Sequence, residues 1–502
     1  MKDYSGLQNG SDIRGIAIGL PGGPAVNLTE SACRDIGRGF ALWLTERFGK
    51  KKLRVALGRD CRLSGESMLR WLGEELEREG MAVTDMGGAT TPAMFMTTVL
   101  PGYEFDASVM VTASHLPMER NGYKFFTAGG GLESGDIRAI LAHAASDAHT
   151  GLPAGDHASG GIISAYAASL REKIRTATGL ERPFEGLRLI VDAGNGMGGF
   201  YEREVLKPLG ADTAGSVYLD PDGRFPNHIP NPENAGAMES IRSAVLSSKA
   251  DFGLIFDTDV DRAGAVLPDG SELNRNRLIA ALSAVVLRDV PGATIVTDSV
   301  TSSGLAAFIV KHGGIHRRFR RGYRNVINEA VRLTAAGQTA PLAMETSGHG
   351  ALQENWYLDD GAYLMTRLLI ELVRCRQQGE TLETLISDLA EPAEAKEFRL
   401  SIAAENFRSY GQSVIDALTA YCAAQPGWTP EAENCEGIRV NLDRDHGDGW
   451  LLLRLSLHEP LLPLNLESDS KGGVKTMTKE LLPFLRQFDQ LGLDAMEKFA
   501  AE

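Results

Sequence analysis

The stretch Phe252-Gly253-Leu254-Ile255-Phe256-Asp257-Thr258-Asp259-Val260-Asp261-Arg262 changes character in one step, from an apolar run to a polar cluster. A short apolar run bounded by polar turn residues reads as a buried strand. Two other stretches share the design. Residues 107–111 run into Thr112-Ala113-Ser114-His115, and residues 341–344 run into Glu345-Thr346-Ser347-Gly348-His349. Upstream of each lies a further apolar run that ends at an aspartate: Asp60 after 53–57, Asp192 after 187–191 and Asp298 after 294–297. A helical stretch and a glycine stop follow each of these, with Gly80, Gly210 and Gly313-Gly314 as the stops. Strand, polar turn, helix and glycine, repeated three times at similar separations, is α/β grammar with internal duplication. In open α/β sheets ligands bind beyond the carboxyl ends of strands, so the three polar ends are expected to converge on one central cleft.

The remainder of the chain reads differently. Runs at 398–402, 437–442, 450–457 and 462–466 surround a helical stretch at 407–423 and lead to a last helical stretch at 474–488, which Pro483 is expected to kink or split. The predicted fold class is therefore α/β: three similar mixed α/β domains in tandem, plus a C-terminal α+β domain. Boundaries are expected at the Gly/Ala-rich stretch 150–161, near 269–272 and at 392–396. The expected domains are 1–155, 156–270, 271–393 and 394–502.

Composition agrees with a folded chain. Of 502 residues, 43% are hydrophobic and 23% charged, near globular averages, and the length calls for several domains. Lys and Arg number 51 against 66 Asp and Glu, a net charge of −15, which argues against nucleic acid or an anionic membrane as the main partner. No apolar run is long enough for a membrane span. Met1-Lys2-Asp3-Tyr4 does not open a secretory leader. Five cysteines without a C-x-x-C pair argue against a disulfide framework or zinc ribbon. A cytoplasmic protein is expected.

Asp257, Asp259 and Asp261 alternate, and alternation along an extended segment would place the three carboxylates on one face. Like charges so close repel unless a cation neutralises them, and hard oxygen ligands favour Mg²⁺ or Ca²⁺ over zinc. The competing reading is a solvated acidic turn, against which the preceding apolar run argues. An EF-hand does not fit, because Arg262 and Pro268 stand where its Gly and Glu belong. Ser114 follows a buried-looking strand. A lone loop serine is ordinarily a turn residue, but His115 and Lys124 supply nearby proton carriers or phosphate partners. The nucleophile elbow G-x-S-x-G is absent. A serine can instead carry a phosphoryl group that needs Mg²⁺ and cationic donors. Arg454 and Ser456 share a face at a strand end, a pairing that suits phosphate. Arg14, in a glycine-flanked loop, is a second basic candidate. Gly194-x-Gly196-x-x-Gly199 with Asp220 beyond it matches a dinucleotide fingerprint, yet its sibling units lack the glycines, so a tight turn is preferred. His312 and His316 are separated by Gly313-Gly314, which defeats a helical metal pair.

Taken together, Thr112-Ala113-Ser114-His115-Leu116-Pro117 resembles the phosphoserine loop of the α-D-phosphohexomutases, the phosphoglucomutase/phosphomannomutase family. The segment from Asp257 to Arg262 resembles its metal loop, Glu345-Thr346-Ser347-Gly348-His349 its sugar-recognition loop, and Arg454 to Pro460 the phosphate-binding loop of its fourth domain. The segments Asp192 to Gly196 and Asp222 to His228 also resemble family segments. Leu116, Met344 and His458 depart from the family pattern.

The resemblance implies an intramolecular phosphotransferase that interconverts hexose 1-phosphate and hexose 6-phosphate, with mannose or glucose as sugar. It further implies a phosphoserine at Ser114, a bisphosphate intermediate, and hexose 1,6-bisphosphate as activator. Mg²⁺ would be held by Ser114, Asp257, Asp259 and Asp261, with Ser114, His115, Lys124 and Arg14 as catalytic groups. Glu345, Ser347, His349, Tyr323, Arg324, Arg454, Ser456, Glu459 and Arg262 would bind substrate. Three rivals remain open at this stage: a phosphoglucosamine mutase, a non-catalytic sugar-phosphate-binding protein, and a phosphatase in which Asp257 is itself the nucleophile.

Overall fold

The computed structural model describes residues 2–49, 52–146, 157–456 and 459–502, so the boundary expected at 150–161 falls largely outside the described residues, as do Leu457 and His458. Two compact units divide the chain: Met1–Leu282 with Ser347–Thr384, and Ser283–Thr346 with Leu385–Glu502.

In the first unit, Arg54–Arg59 forms the middle of a mixed sheet. It pairs in parallel with Ala82–Gly88 and Ala107–Val111, and the latter turns antiparallel to Arg120–Thr127. Every residue of Ala107–Val111 is buried, as expected for a strand covered on both faces. Helices Glu30–Phe48 and Gly65–Arg78 pack against the sheet, their apolar faces (Ile36, Phe40, Leu69, Leu72) meeting Leu57, Val109 and Phe125 in one core. Thr29 caps the first of these helices, its side chain accepting from Ala32 N–H.

A second sheet in the same unit places Phe252–Phe256 parallel to Leu189–Asp192 and antiparallel to Ala263–Val266. Residues 267–271, where a domain boundary is expected, form a tight turn closed by Gly270 N–H to Leu267 C=O at 2.9 Å. This turn joins Ala263–Val266 to its antiparallel partner Glu272–Leu273. The hairpin Gly350–Leu352 and Leu358–Asp359 leads into helix Gly361–Gln378, which packs beside Ile163–Thr178.

In the second unit, Thr294–Asp298 runs parallel to both Ile315–Phe319 and Leu342–Met344, with helices Ser303–Lys311 and Tyr323–Ala335 between them in sequence. An antiparallel five-stranded sheet follows, ordered Glu394–Ser401, Leu461–Ser468, Gly449–Leu453, Ile438–Leu442, Trp428–Pro430. Helix Phe407–Ala423 and the C-terminal helices cover it around Phe398, Leu418, Val440, Leu451 and Leu481. The architecture is the expected one, three mixed α/β sheets in tandem and an α+β tail. Pro483 does not split the last stretch. Helix Gly473–Leu485 runs through it and ends two residues later, because a proline in the final turn removes only one i→i−4 hydrogen bond. A separate helix, Asp494–Ala501, follows.

Candidate active site

Ser114 leaves the end of strand Ala107–Val111 with φ of 52° and is fully buried. A non-glycine residue in the left-handed region costs about 1–3 kcal/mol and persists only where its surroundings over-determine it. Those surroundings are visible. Ser114 N–H donates to Thr112 Oγ1 at 2.8 Å, and Thr112 Oγ1–H donates to the Asp60 carboxylate at 2.7 Å. The buried Arg62 guanidinium donates to the carbonyls of Ser114, Leu116, Pro117 and Arg120. Arg14 adds a bond to the Ala113 carbonyl at 3.2 Å and pairs with Asp12 at 2.8 Å.

The Ser114 hydroxyl donates to Asp257 Oδ2 at 2.9 Å, and His115 Nδ1 lies 3.3 Å from the same Oγ. The charges of Arg262 and, after burial, of Arg14 push the His115 pKa far below the ordinary imidazole value. The imidazole is therefore neutral at neutral pH.

Asp257, Asp259 and Asp261 are all fully buried, and one oxygen of each lies within 4.8 Å of the others. They do not meet by strand alternation, because strand Phe252–Phe256 has ended and residues 257–261 form a turn with Val260 at φ of 67°. The turn itself brings the carboxylates together. Thr91 Oγ1–H donates to Asp259 at 2.5 Å. Lys124 Nζ bonds Asp261 and lies 3.5 Å from Asp259. Arg262 Nε lies 3.8 Å from Asp257 Oδ2.

Burial, then the charges of Asp261 and Asp259, raises the Asp257 carboxyl well above the ordinary range. Burial also pushes Asp261 upward, but Lys124, His349 and Arg262 outweigh it and hold that carboxyl well below its usual value. Two further atoms test whether a cation fits. Asp259 Oδ1 and Asp261 Oδ1 are buried without a hydrogen-bond partner, although buried carboxylate oxygens are normally satisfied. Hard oxygens crowded together and left unsatisfied suit a Mg²⁺- or Ca²⁺-type ion.

The predicted sugar-recognition residues divide between the two units. Ser347 and His349 belong to the first. Both are buried, with His349 Nδ1 2.5 Å from Asp359 and 3.9 Å from Asp261. In the second unit Glu345 is buried and accepts from Gly322 N–H at 2.5 Å, which brings the segment Gly322-Tyr323-Arg324 to it. Gly322 has φ of 116°, a value the glycine is there to permit. Arg321 and Asp298 lie at the same sheet end, 4.0 Å apart.

Arg454 follows strand Gly449–Leu453, and its Nε is buried without a hydrogen-bond partner. Ser456 Oγ accepts from Glu459 N–H at 3.2 Å. The Glu459 carboxylate pairs with Arg399.

Sequence reasoning did not single out Arg62, Thr91 or Asp359. Arg62 sits two residues beyond a strand-end aspartate already noted, which is a usable signal. Thr91 and Asp359 reach the metal loop only through tertiary folding. The fingerprint glycines prove to be packing devices. A Cβ on Gly196 would stand 2.7 Å from Thr258 Cα, and Met197 N–H donates to Thr258 C=O at 2.8 Å. A six-residue π-helix, Tyr201–Leu206, follows in place of a regular helix. His312 and His316 go to Asp388 and Thr297 respectively.

Mixed α/β sheets in tandem, with a buried serine hydroxyl held against an acidic cluster able to take a metal ion, are the features to compare with known proteins. Residues 6–150, 164–270 and 274–393 match domains I, II and III of phosphoglucomutase/phosphomannomutase, each described as alpha/beta/alpha. A phosphoglucomutase of Neisseria gonorrhoeae is 32% identical over 466 residues, 92% of this chain and 93% of that protein. A phosphomannomutase/phosphoglucomutase of Pseudomonas putida is 32% identical over 444 residues, 87% of this chain and 89% of the other. A solved phosphoglucomutase/phosphomannomutase family protein of Burkholderia thailandensis superposes with a TM-score of 0.78 at 27% identity, covering 95% of this chain and 96% of that one. The chain belongs to the phosphoglucomutase/phosphomannomutase family and is an isomerase of the intramolecular phosphotransferase kind. Among the described residues no helix is long and apolar enough to cross a membrane.

Proposed function

We propose that this protein interconverts hexose 1-phosphate and hexose 6-phosphate, with mannose or glucose as the sugar, through a phosphoserine at Ser114 and a hexose bisphosphate intermediate. One observation carries the reading: the Ser114 hydroxyl stands 2.9 Å from Asp257, inside a buried trio of carboxylates with unsatisfied oxygens. The names of the Neisseria and Pseudomonas relatives support the substrate class. In this reading Asp257, Asp259, Asp261 and the phosphoserine oxygen hold Mg²⁺. The bound ion supplies neutralisation of charge on the phosphoryl oxygens.

The phosphoryl group leaves Ser114 Oγ for a sugar hydroxyl, so that the P–Oγ bond breaks as the P–O(sugar) bond forms. The sugar hydroxyl's proton passes to the neutral His115 imidazole, and the Lys124 ammonium can supply a proton to the departing Ser114 oxygen. In the return step the sugar's other phosphate goes back to Ser114. Arg14 and Arg262 are the nearby cations. Glu345, Ser347 and His349 hold sugar hydroxyls, and Tyr323 and Arg324 are further sugar-binding residues. Arg454 and Ser456 take the non-reacting phosphate, with Glu459 shaping the loop. Hexose 1,6-bisphosphate primes the serine.

The chain is organised as domains 1–155, 156–270, 271–393 and 394–502, carrying the serine loop, metal loop, sugar loop and distal phosphate site in turn. Sugar phosphates are the partners, not nucleic acid, and the enzyme works in the cytoplasm. The test is incubation with glucose 1,6-bisphosphate followed by mapping of phosphate on the intact protein, alongside coupled assays on mannose 1-phosphate and glucose 1-phosphate. Wild type is expected to carry phosphate on Ser114 and to turn over at least one sugar; Ser114→Ala should do neither while keeping its melting temperature. Substantial mutase activity in Ser114→Ala refutes the assignment.

A further inference from the structure

We propose that Arg62, held in place by Phe225, is a positioning residue that sets the Ser114 loop against the metal loop, an inference that rests on the reading of Ser114 as the phosphorylated residue. The argument begins with donor bookkeeping. A guanidinium has five N–H groups in a fixed fork. In Arg62, Nη1 donates to Pro117 C=O at 2.8 Å and to Arg120 C=O at 2.9 Å, while Nη2 donates to the carbonyls of Leu116, at 2.6 Å, and Ser114. The remaining Nε lies 3.3 Å from Asp60 Oδ2. The four terminal hydrogens are thus spent on one loop, and the side chain is fully buried, so Arg62 has nothing to offer a substrate phosphate. Its work is to hold that loop.

The opposite face of the guanidinium explains motifs that phosphoryl transfer alone leaves idle. The Phe225 ring lies over Arg62, 5.3 Å from the guanidinium carbon to the ring centroid. Phe225 adopts φ of 50°, a strained conformation for a bulky residue. Gly223 of the same segment packs on the backbone of Cys61 and Arg62, where a Cβ would clash. Asn195, in the fingerprint turn, ties this segment down: its carbonyl accepts from Asp222 N–H at 2.8 Å and from the Cys61 thiol at 3.3 Å, and its Oδ1 accepts from Asn227 at 2.7 Å. The adjacent Gly196 lies against Thr258 in the metal loop. One turn therefore touches Thr258 on one side and, through Phe225, Arg62 on the other. A buttress of this kind fixes the distance between Ser114 Oγ and Asp257, and transfer rates are steep in such distances.

The test uses Arg62→Lys and Phe225→Leu in the full chain, with wild type and Ser114→Ala as references. Lysine keeps the charge but loses the fork. Three readouts are taken: kcat and KM for glucose 1-phosphate, melting temperature, and amide exchange at residues 113–116. Arg62→Lys is expected to lower kcat about tenfold or more with KM changed far less, and Phe225→Leu to lower it about threefold, the size of a modest cation–π contact. Exchange at 113–116 should quicken in both, out of proportion to any change elsewhere. If Arg62→Lys does not fold, Phe225→Leu decides alone, since it leaves every bond to the loop in place. The inference is overturned if loop exchange and kcat match wild type in the folded variants, or if exchange rises uniformly with falling melting temperature. Absence of phosphate on wild-type Ser114 would defeat the functional reading instead, and loop exchange would still decide whether Arg62 and Phe225 hold the loop.

Discussion

Lys124 offers a sharp test of the electrostatics. Its ammonium is buried, bonded to Asp261 and 3.5 Å from Asp259. Lys124→Met keeps the stem and removes the charge. Lys124 and Arg262 are the two side-chain cations beside the trio, and the variant loses one of them. Breaking a buried pair by deleting one partner costs about 3–5 kcal/mol. At about 2 °C per kcal/mol for a body this large, the metal-free variant should melt about 6–10 °C below wild type.

Magnesium should reverse part of that loss, because the cluster now carries one more uncompensated negative charge and binds a dication more tightly; a Kd about a hundredfold below wild type's would return about 2.7 kcal/mol of the difference at saturation. The pH signature follows as well. Asp261 is held below its unfolded value, so its stabilisation is present above the unfolded pKa of 3.8 and is lost as pH falls toward the depressed folded value. The variant should lose less stability on acidification than wild type. Calorimetric melting with EDTA and with millimolar magnesium reads all of this. An equal drop with and without magnesium, or no drop without it, would refute the view that Lys124 substitutes for part of the ion's charge.

Gly196→Ala would drive a Cβ to 2.7 Å from Thr258 Cα and 2.8 Å from its carbonyl oxygen, both backbone atoms that cannot swing aside; a stability loss of about 1–3 kcal/mol together with weaker magnesium binding is expected, measured by titration calorimetry. Asp298 is raised to about 7 by burial, with Arg321 opposing and Glu345 adding to the shift. Its folded form therefore holds a proton that the unfolded chain has lost, so stability falls as pH rises from 3.8 to about 7. Asp298→Asn should flatten that slope in urea midpoints taken across the window, and an unchanged slope would remove Asp298 as its source.

What the sequence makes legible here is whatever one stretch of chain encodes alone. The strand ending at Phe256 and the acids that follow are contiguous, so both the element and its chemistry are readable. The triplet's geometry was less so: alternation suggested an extended face, whereas Val260 in the left-handed region makes a turn, and β-branched residues give no warning of that conformation. The fingerprint glycines are a case where the pattern is real and its meaning is tertiary. Gly196 and Gly199 are required by the approach of Thr258 and of Leu219, and only the folded chain distinguishes that from a phosphate cradle. Thr91 meets Asp259 across 168 positions of sequence, and Asp359 reaches His349 through a hairpin. Nothing local marks either residue. The partner of Glu459 is likewise not legible near Arg454 and Ser456: the antiparallel pairing of Glu394–Ser401 with Leu461–Ser468 delivers Arg399 to it.

Several unfavourable features meet where the Ser114 loop faces the acidic loop, and that pattern carries its own inference. Strain of about 1–3 kcal/mol at each of Ser114 and Val260, unsatisfied oxygens on Asp259 and Asp261 and three buried acids in contact all lie within two loops that meet at the Ser114–Asp257 hydrogen bond. Two loops that break several ordinary requirements where they meet leave that point for a ligand to complete. The scaffold bears the cost in advance, through Thr91, Lys124, Arg262 and Arg62, so that a dication entering the trio finds its oxygens already converged and the serine already in place. Such preorganisation places the stabilising charge before the reaction begins.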